Sequence, residues 1–138
     1  MSRGLTLPVV LFALAMTSAL AVGGAYVTRQ LASVASTEER GALLAPSCEG
    51  ALVDAIASWD SVARAQQPVG AVAPLASSSA PHLTTTAWIT RISSSAYWLV
   101  AESVDDRPPR LRRRTGVVVR VTNGAPKPVP MRAWHELP

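Results

Sequence analysis

Hydrophobic positions follow three regimes along this chain. From Gly4 to Thr28 they form a run that no charged residue interrupts, with Arg3 before it and Arg29 after it. A bilayer-spanning helix needs about 20 residues, and this run exceeds that length. Pro8 falls in the first helical turn, where its missing amide hydrogen costs little. Tyr26 lies at the far end, where an amphipathic ring suits a membrane interface. Beyond Arg29 the apolar residues thin to helical spacing: Leu31, Val34, Ala35, Ala42 and Leu43, with Glu38, Glu39 and Arg40 on the polar side. A continuous helix over 5–45 would be about 60 Å long. A plain membrane helix followed by a frayed segment is the alternative.

Pro46 is expected to end that helix, because the residue before a proline avoids helical geometry. Ser47 can cap a second helix with Glu49 in its first turn. Leu52, Ile56, Trp59 and Ala63 recur on one face of it, with Val62 at the border. Residues 66–84 read as a loop, punctuated by Pro68, Gly70, Pro74, the serines 77–79 and Pro81. From Thr85 the period changes to two. Thr85–Ile92 and Ala96–Val104 form a predicted hairpin across Ser93–Ser95, with Trp88, Thr90 and Ile92 opposite Ala87, Ile89 and Arg91. Residues 105–114, broken by Pro108 and Pro109, read as an exposed connection. Gly116–Thr122 is a third strand, and Asn123-Gly124 is a turn signal. Pro126, Pro128 and Pro130 confine the segment after that turn to an edge strand or an extended arm, with Met131 to Trp134 returning toward the sheet. The fold class expected is α+β: a long membrane-spanning helix, a second amphipathic helix, and a small antiparallel sheet of three to four strands.

Composition narrows the chemistry. The 138 residues are 49% apolar and 16% charged, so the chain is not a disordered tail. The single cysteine, Cys48, excludes an intrachain disulfide framework. Cys48 with the separated His82 and His135 offers no metal cage. There is no glycine-rich phosphate loop and no nucleophile elbow. No catalytic residue, metal or cofactor is expected, and the chain is not read as an enzyme. Residues 1–100 are balanced in charge, so the net +4 resides in the last 38. Arg107, Arg110, Arg112, Arg113 and Arg114 crowd one stretch there. Such a cluster can bind an anionic partner, or it can be a solvated loop offset by Asp105 and Asp106. The four tryptophans, Trp59, Trp88, Trp98 and Trp134, are expected in a core shared by helix and sheet, with an exposed contact patch as the alternative.

The amino terminus admits three readings. It can be a secretory signal peptide with Ala19-Leu20-Ala21 as cleavage site, although the apolar run continues through Val27. It can be an uncleaved signal anchor. The third reading is a resemblance: Arg3-Gly4-Leu5-Thr6-Leu7 followed at once by a long apolar helix resembles the start of type IV pilins and type II secretion pseudopilins. The resemblance implies a leader of residues 1–4, cut after Gly4 by a prepilin peptidase, with Leu5 methylated as the mature amino terminus. It further implies a stem over 5–45 and a periplasmic head over 46–138. Most members carry a glutamate where this chain has Val9, and its absence implies a minor, low-copy subunit. The implied partners are membrane lipid, the peptidase and other pilin or pseudopilin subunits. Small residues such as Ala13, Ala15, Ala19, Gly23 and Gly24 would let stems approach closely, with Val9 and Phe12 among the larger side chains of the segment. The implied location is the bacterial inner membrane, with incorporation into a surface pilus or secretion pseudopilus. The competing expectation is a secreted or anchored envelope protein whose head binds a partner through the arginine loop, nucleic acid being one such ligand.

Overall fold

The computed structural model describes residues 6–129 and 135–137. The first element, α1, runs Thr6–Ala57, and the chain divides into two compact units, residues 1–38 and 39–138. In the first unit α1 is exposed on every side. Leu7, Leu11, Phe12, Leu20 and Val22 are each more than half exposed, although all are strongly apolar. Leu7–Ala57 is one helix whose apolar part is long enough to cross a membrane.

The second unit holds the sheet and the core. Its strands are β1 (Val72–Ala80), β2 (Leu83–Arg91), β3 (Ala96–Asp105), β4 (Leu111–Thr122), β5 (Ala125–Pro128) and β6 (His135–Leu137). All pairings are antiparallel, in the order β1-β2-β3-β4-β5, and β6 pairs β4 beside β5. Alternation decides the faces. Ala87 and Ile89 of β2, Tyr97, Leu99 and Ala101 of β3, and Val117 and Val119 of β4 are buried on one face. Against them pack Leu52, Cys48 and Ala55 from the last three turns of α1, with Ala51, Ile56 and Trp59 at the margin. Trp59 meets the Tyr97 ring edge-on at 5.1 Å, and the Tyr97 hydroxyl donates to the Arg64 carbonyl at 3.0 Å.

The α+β class stands, with a long apolar helix, a short second helix and an antiparallel sheet, but the sheet has six strands among the described residues where three to four were expected. Three details of the expected layout change. Pro46 does not end α1; it lies inside the helix and is exposed. Proline forfeits a hydrogen bond and crowds the preceding turn, but Leu44 and Cys48 on either side of it are buried in the sheet's cover, and that packing outweighs the local preference. The expected second helix is therefore the end of α1. Its break falls later, at Ser58–Asp60. There the Asp60 carboxylate accepts from the backbone of Val62 at 3.0 Å and of Ala63 at 3.1 Å, and so caps the short α2, Ser61–Gln66. The stripe Leu52, Ile56, Trp59 packs as its spacing implies, while Ala63 is exposed.

The second change is β1, which lies inside the expected loop 66–84. Its Ala- and Ser-rich sequence has little strand propensity. It forms because β2 offers a free edge, and Pro74 is accommodated by a register shift before Ala76. The third is that β4 begins at Leu111, so Arg112, Arg113 and Arg114 belong to a strand and the connection shrinks to 106–110. The Asn123-Gly124 turn has positive φ at both residues, 55° and 79°, as a two-residue hairpin requires. β5 is the proline-bearing edge strand expected after it. Gly4, Leu5 and Met131 to Trp134 lie outside the described residues.

Candidate functional site

Two regions carry the candidate residues. The first is the apolar segment of α1. Pro8 sits in its first turn, and Val9, Phe12 and Tyr26 are 62%, 67% and 64% exposed. Gly23 and Gly24 lie inside the helix with nothing near the position a side chain would take. Near the end of the uncharged run, the Gln30 amide donates to the Tyr26 hydroxyl at 2.9 Å, and the Thr28 hydroxyl donates to the Gly24 carbonyl. These contacts occupy polar groups within the helix itself. A helix that is apolar all round needs apolar surroundings, and among the described residues nothing supplies them.

The second region is the basic end of the sheet. Asp105, at the end of β3, is buried, and two arginines converge on it. Arg107 donates through Nη2 to Oδ2 at 2.6 Å, through Nε to Oδ1 at 3.0 Å, and through its backbone amide to Oδ1. Arg40 of α1 donates through Nε to Oδ2 at 2.9 Å, and its remaining donors reach the carbonyls of Arg107, Pro108 and Pro109. Side-chain hydrogen bonds from Arg107 and then Arg40 hold the Asp105 carboxyl far below the usual carboxylate range, against the opposing effect of burial. This ties the 106–110 turn to α1. A depressed carboxyl stabilises the fold fully above the unfolded value of about 4, and that contribution declines as pH falls below it. Asp105→Asn is therefore expected to lower the denaturation midpoint at pH 7, with the gap to the unaltered protein narrowing as pH is taken from about 4 toward 2. A constant gap would contradict the assignment.

A second carboxylate serves the strand arginines. Glu102 of β3 accepts from Arg112 at 2.8 Å and from Arg114 at 2.6 Å. The arginine cluster is thus dispersed. Arg107 closes a turn, Arg112 and Arg114 lie on one sheet face with Glu102, and Arg113 belongs to the opposite face, where its carbonyl accepts from Cys48. Arg110 is exposed in the turn. Sequence reasoning grouped these residues by proximity along the chain; alternation along β4 separates them. It missed Arg40, whose role depends on a contact 65 residues away.

Cys48 is fully buried and donates to the Ser103 hydroxyl at 3.2 Å. His82, with φ 64° in the β1–β2 turn, contacts Asp106 at 3.0 Å. Among the described residues no group of three His, Cys, Asp or Glu side chains could hold a metal ion.

The tryptophans divide. Trp59 belongs to the core margin as expected, but Trp88 and Trp98 do not join it. They stand on the opposite, outer sheet face, where a shallow cavity of about 280 Å³ is lined by Val72, Trp88, Thr90, Trp98, Val100 and Arg114. The period of β2 put Trp88 opposite Ala87 and Ile89, which was the available signal. Only the strand register places Trp98 and Arg114 beside it.

The described elements, a long amino-terminal apolar helix and an antiparallel sheet, are of the pilin-like kind. No protein-family model, no curated protein and no solved structure matches the chain.

Proposed function

We propose that this chain is a minor pilin or pseudopilin-like subunit. It is anchored in the inner membrane by the apolar part of α1 and takes part in assembling a type IV pilus or secretion pseudopilus. The observation that carries this reading is the continuity of α1 through Thr6–Ala57. The same helix begins as an all-apolar segment directly after Arg3-Gly4-Leu5 and ends as the helix that buries Leu52 and Cys48 against the sheet. A cleavable signal peptide needs no such continuity, because its apolar region is discarded from the folded protein. A subunit that packs its stem among others does need it, since the stem must stay attached to the head.

Within the membrane, association would come from close packing of small residues, Ala13, Ala15, Ala19, Gly23 and Gly24. Val9 leaves no carboxylate to pair with a neighbour's terminal amine, which suits a low-copy position. Gly4→Leu is expected to abolish leader removal and leave the chain at full length in the membrane fraction. Processing that continues unchanged would remove the main support. The rival reading, a head that binds an anionic partner through the arginine loop, relies on cations of which Arg107, Arg112 and Arg114 already hold carboxylates of this chain.

A further inference from the structure

We infer that the outer face of the sheet is a binding platform for an acidic polysaccharide. The inference concerns the head alone and does not depend on the filament role. Residues directly opposite in an antiparallel ladder share a face. The pairs Thr90–Trp98, Trp88–Val100 and Glu102–Arg114 therefore set both indoles, a carboxylate and a guanidinium on one surface. Trp88 and Trp98 are diagonal neighbours, at a separation of about 7–8 Å between backbone positions.

Three properties of this face select the ligand. The indoles lie away from the core, Trp88 half-buried and Trp98 38% exposed, although residues of that size are normally well buried. An indole's negative π face attracts weakly positive C–H groups, and one side of a pyranose ring is a plane of such groups. The charge is one-sided: Arg112, Arg114, Arg120 and Lys127 stand on β4 and β5 against the single carboxylate of Glu102, among the described residues of this face. Two guanidinium groups on one carboxylate leave net positive charge beside the indoles, and Arg120 and Lys127 are exposed. The other flank is neutral and hydroxylic, with Thr86 and Thr90 on β2. A chain of uronic acid residues matches this arrangement: ring faces on the indoles, hydroxyls on the threonines, carboxylates toward Arg120 and Lys127. Single-stranded DNA also stacks on aromatic groups, but it lacks the ring hydroxyls that Thr86 and Thr90 can bind on the neutral flank.

The test is a titration of the full chain in neutral detergent micelles with oligogalacturonate, read by tryptophan emission. The expected result is a saturable change that weakens as salt is raised. Trp98→Ala and Arg120→Ser should each weaken binding about tenfold, which corresponds to about 1.4 kcal/mol, while Arg64→Ser, which removes the same charge elsewhere on the head, should leave it unchanged. An uncharged malto-oligosaccharide should bind at least about tenfold more weakly. No saturable response to oligogalacturonate would overturn the inference, as would an affinity in both face variants equal to that of the unaltered protein. Tighter binding of oligo(dT) would overturn it in favour of a nucleic-acid surface.

Discussion

Leu52→Ala is expected to cost the head about 2–5 kcal/mol of stability, the range for truncating a fully buried leucine. Leu52 has no exposed surface and belongs to the same cluster as Ile89, Leu99, Val117 and Val119 from three strands. Removing its isobutyl group leaves a void that the surrounding β-branched side chains cannot fill, because their χ1 angles are restricted. The next residue is the control. Val53 is 52% exposed, and Val53→Ala should stay within about 0.5 kcal/mol. Denaturant unfolding of both variants in micelles, followed through near-ultraviolet circular dichroism, separates the outcomes. A loss at Leu52 no larger than at Val53 would mean that the end of α1 does not cover the sheet, and the continuity argument would fall with it.

The second large effect concerns the other end of the same helix. Leu14→Arg is expected to destabilise membrane insertion by about 3 kcal/mol, since arginine near a span's centre costs about 2.5–3.5 kcal/mol and leucine is slightly favourable. That is roughly a hundredfold shift toward the uninserted chain. Leu14 is 58% exposed within the apolar run, with no described side chain packed over it. Leu31→Arg, beyond Arg29, should change insertion little, since an arginine near a helix end can reach the interface. Alkaline extraction of membranes measures the difference. Equal retention of the two variants would show that residues 6–28 do not form the membrane span.

How much of the molecule was legible in its sequence depended on the range of the interaction. The uncharged run from Gly4 to Thr28 was readable because hydrophobicity is a property of single residues. The β2–β3 hairpin and the Asn123-Gly124 turn were readable because period-two alternation and turn chemistry act over a few positions. Pro46 misled because its local penalty was visible while the packing of Leu44 and Cys48 around it was not. β1 was missed because an edge strand built from alanine and serine owes its form to the strand beside it. The arginine cluster was found as a cluster, but its division between a turn and two sheet faces comes from register. Likewise, Trp88 and Trp98 come together on a surface only after β2 and β3 pair. Chemistry carried by one segment could be read from sequence, and chemistry assembled from several strands could not.

The two parts of α1 are what the proposed assembly role joins: a segment suited to lipid and a segment that organises the head. That role requires the apolar segment to remain on the mature protein and to begin at a defined residue. The most direct measurement is the intact mass and amino-terminal residue of the protein purified from membranes of its native host. The account predicts a mature chain that begins at Leu5 and carries a methyl group on its amine. A chain that begins at Val22, with the apolar segment gone, would contradict it.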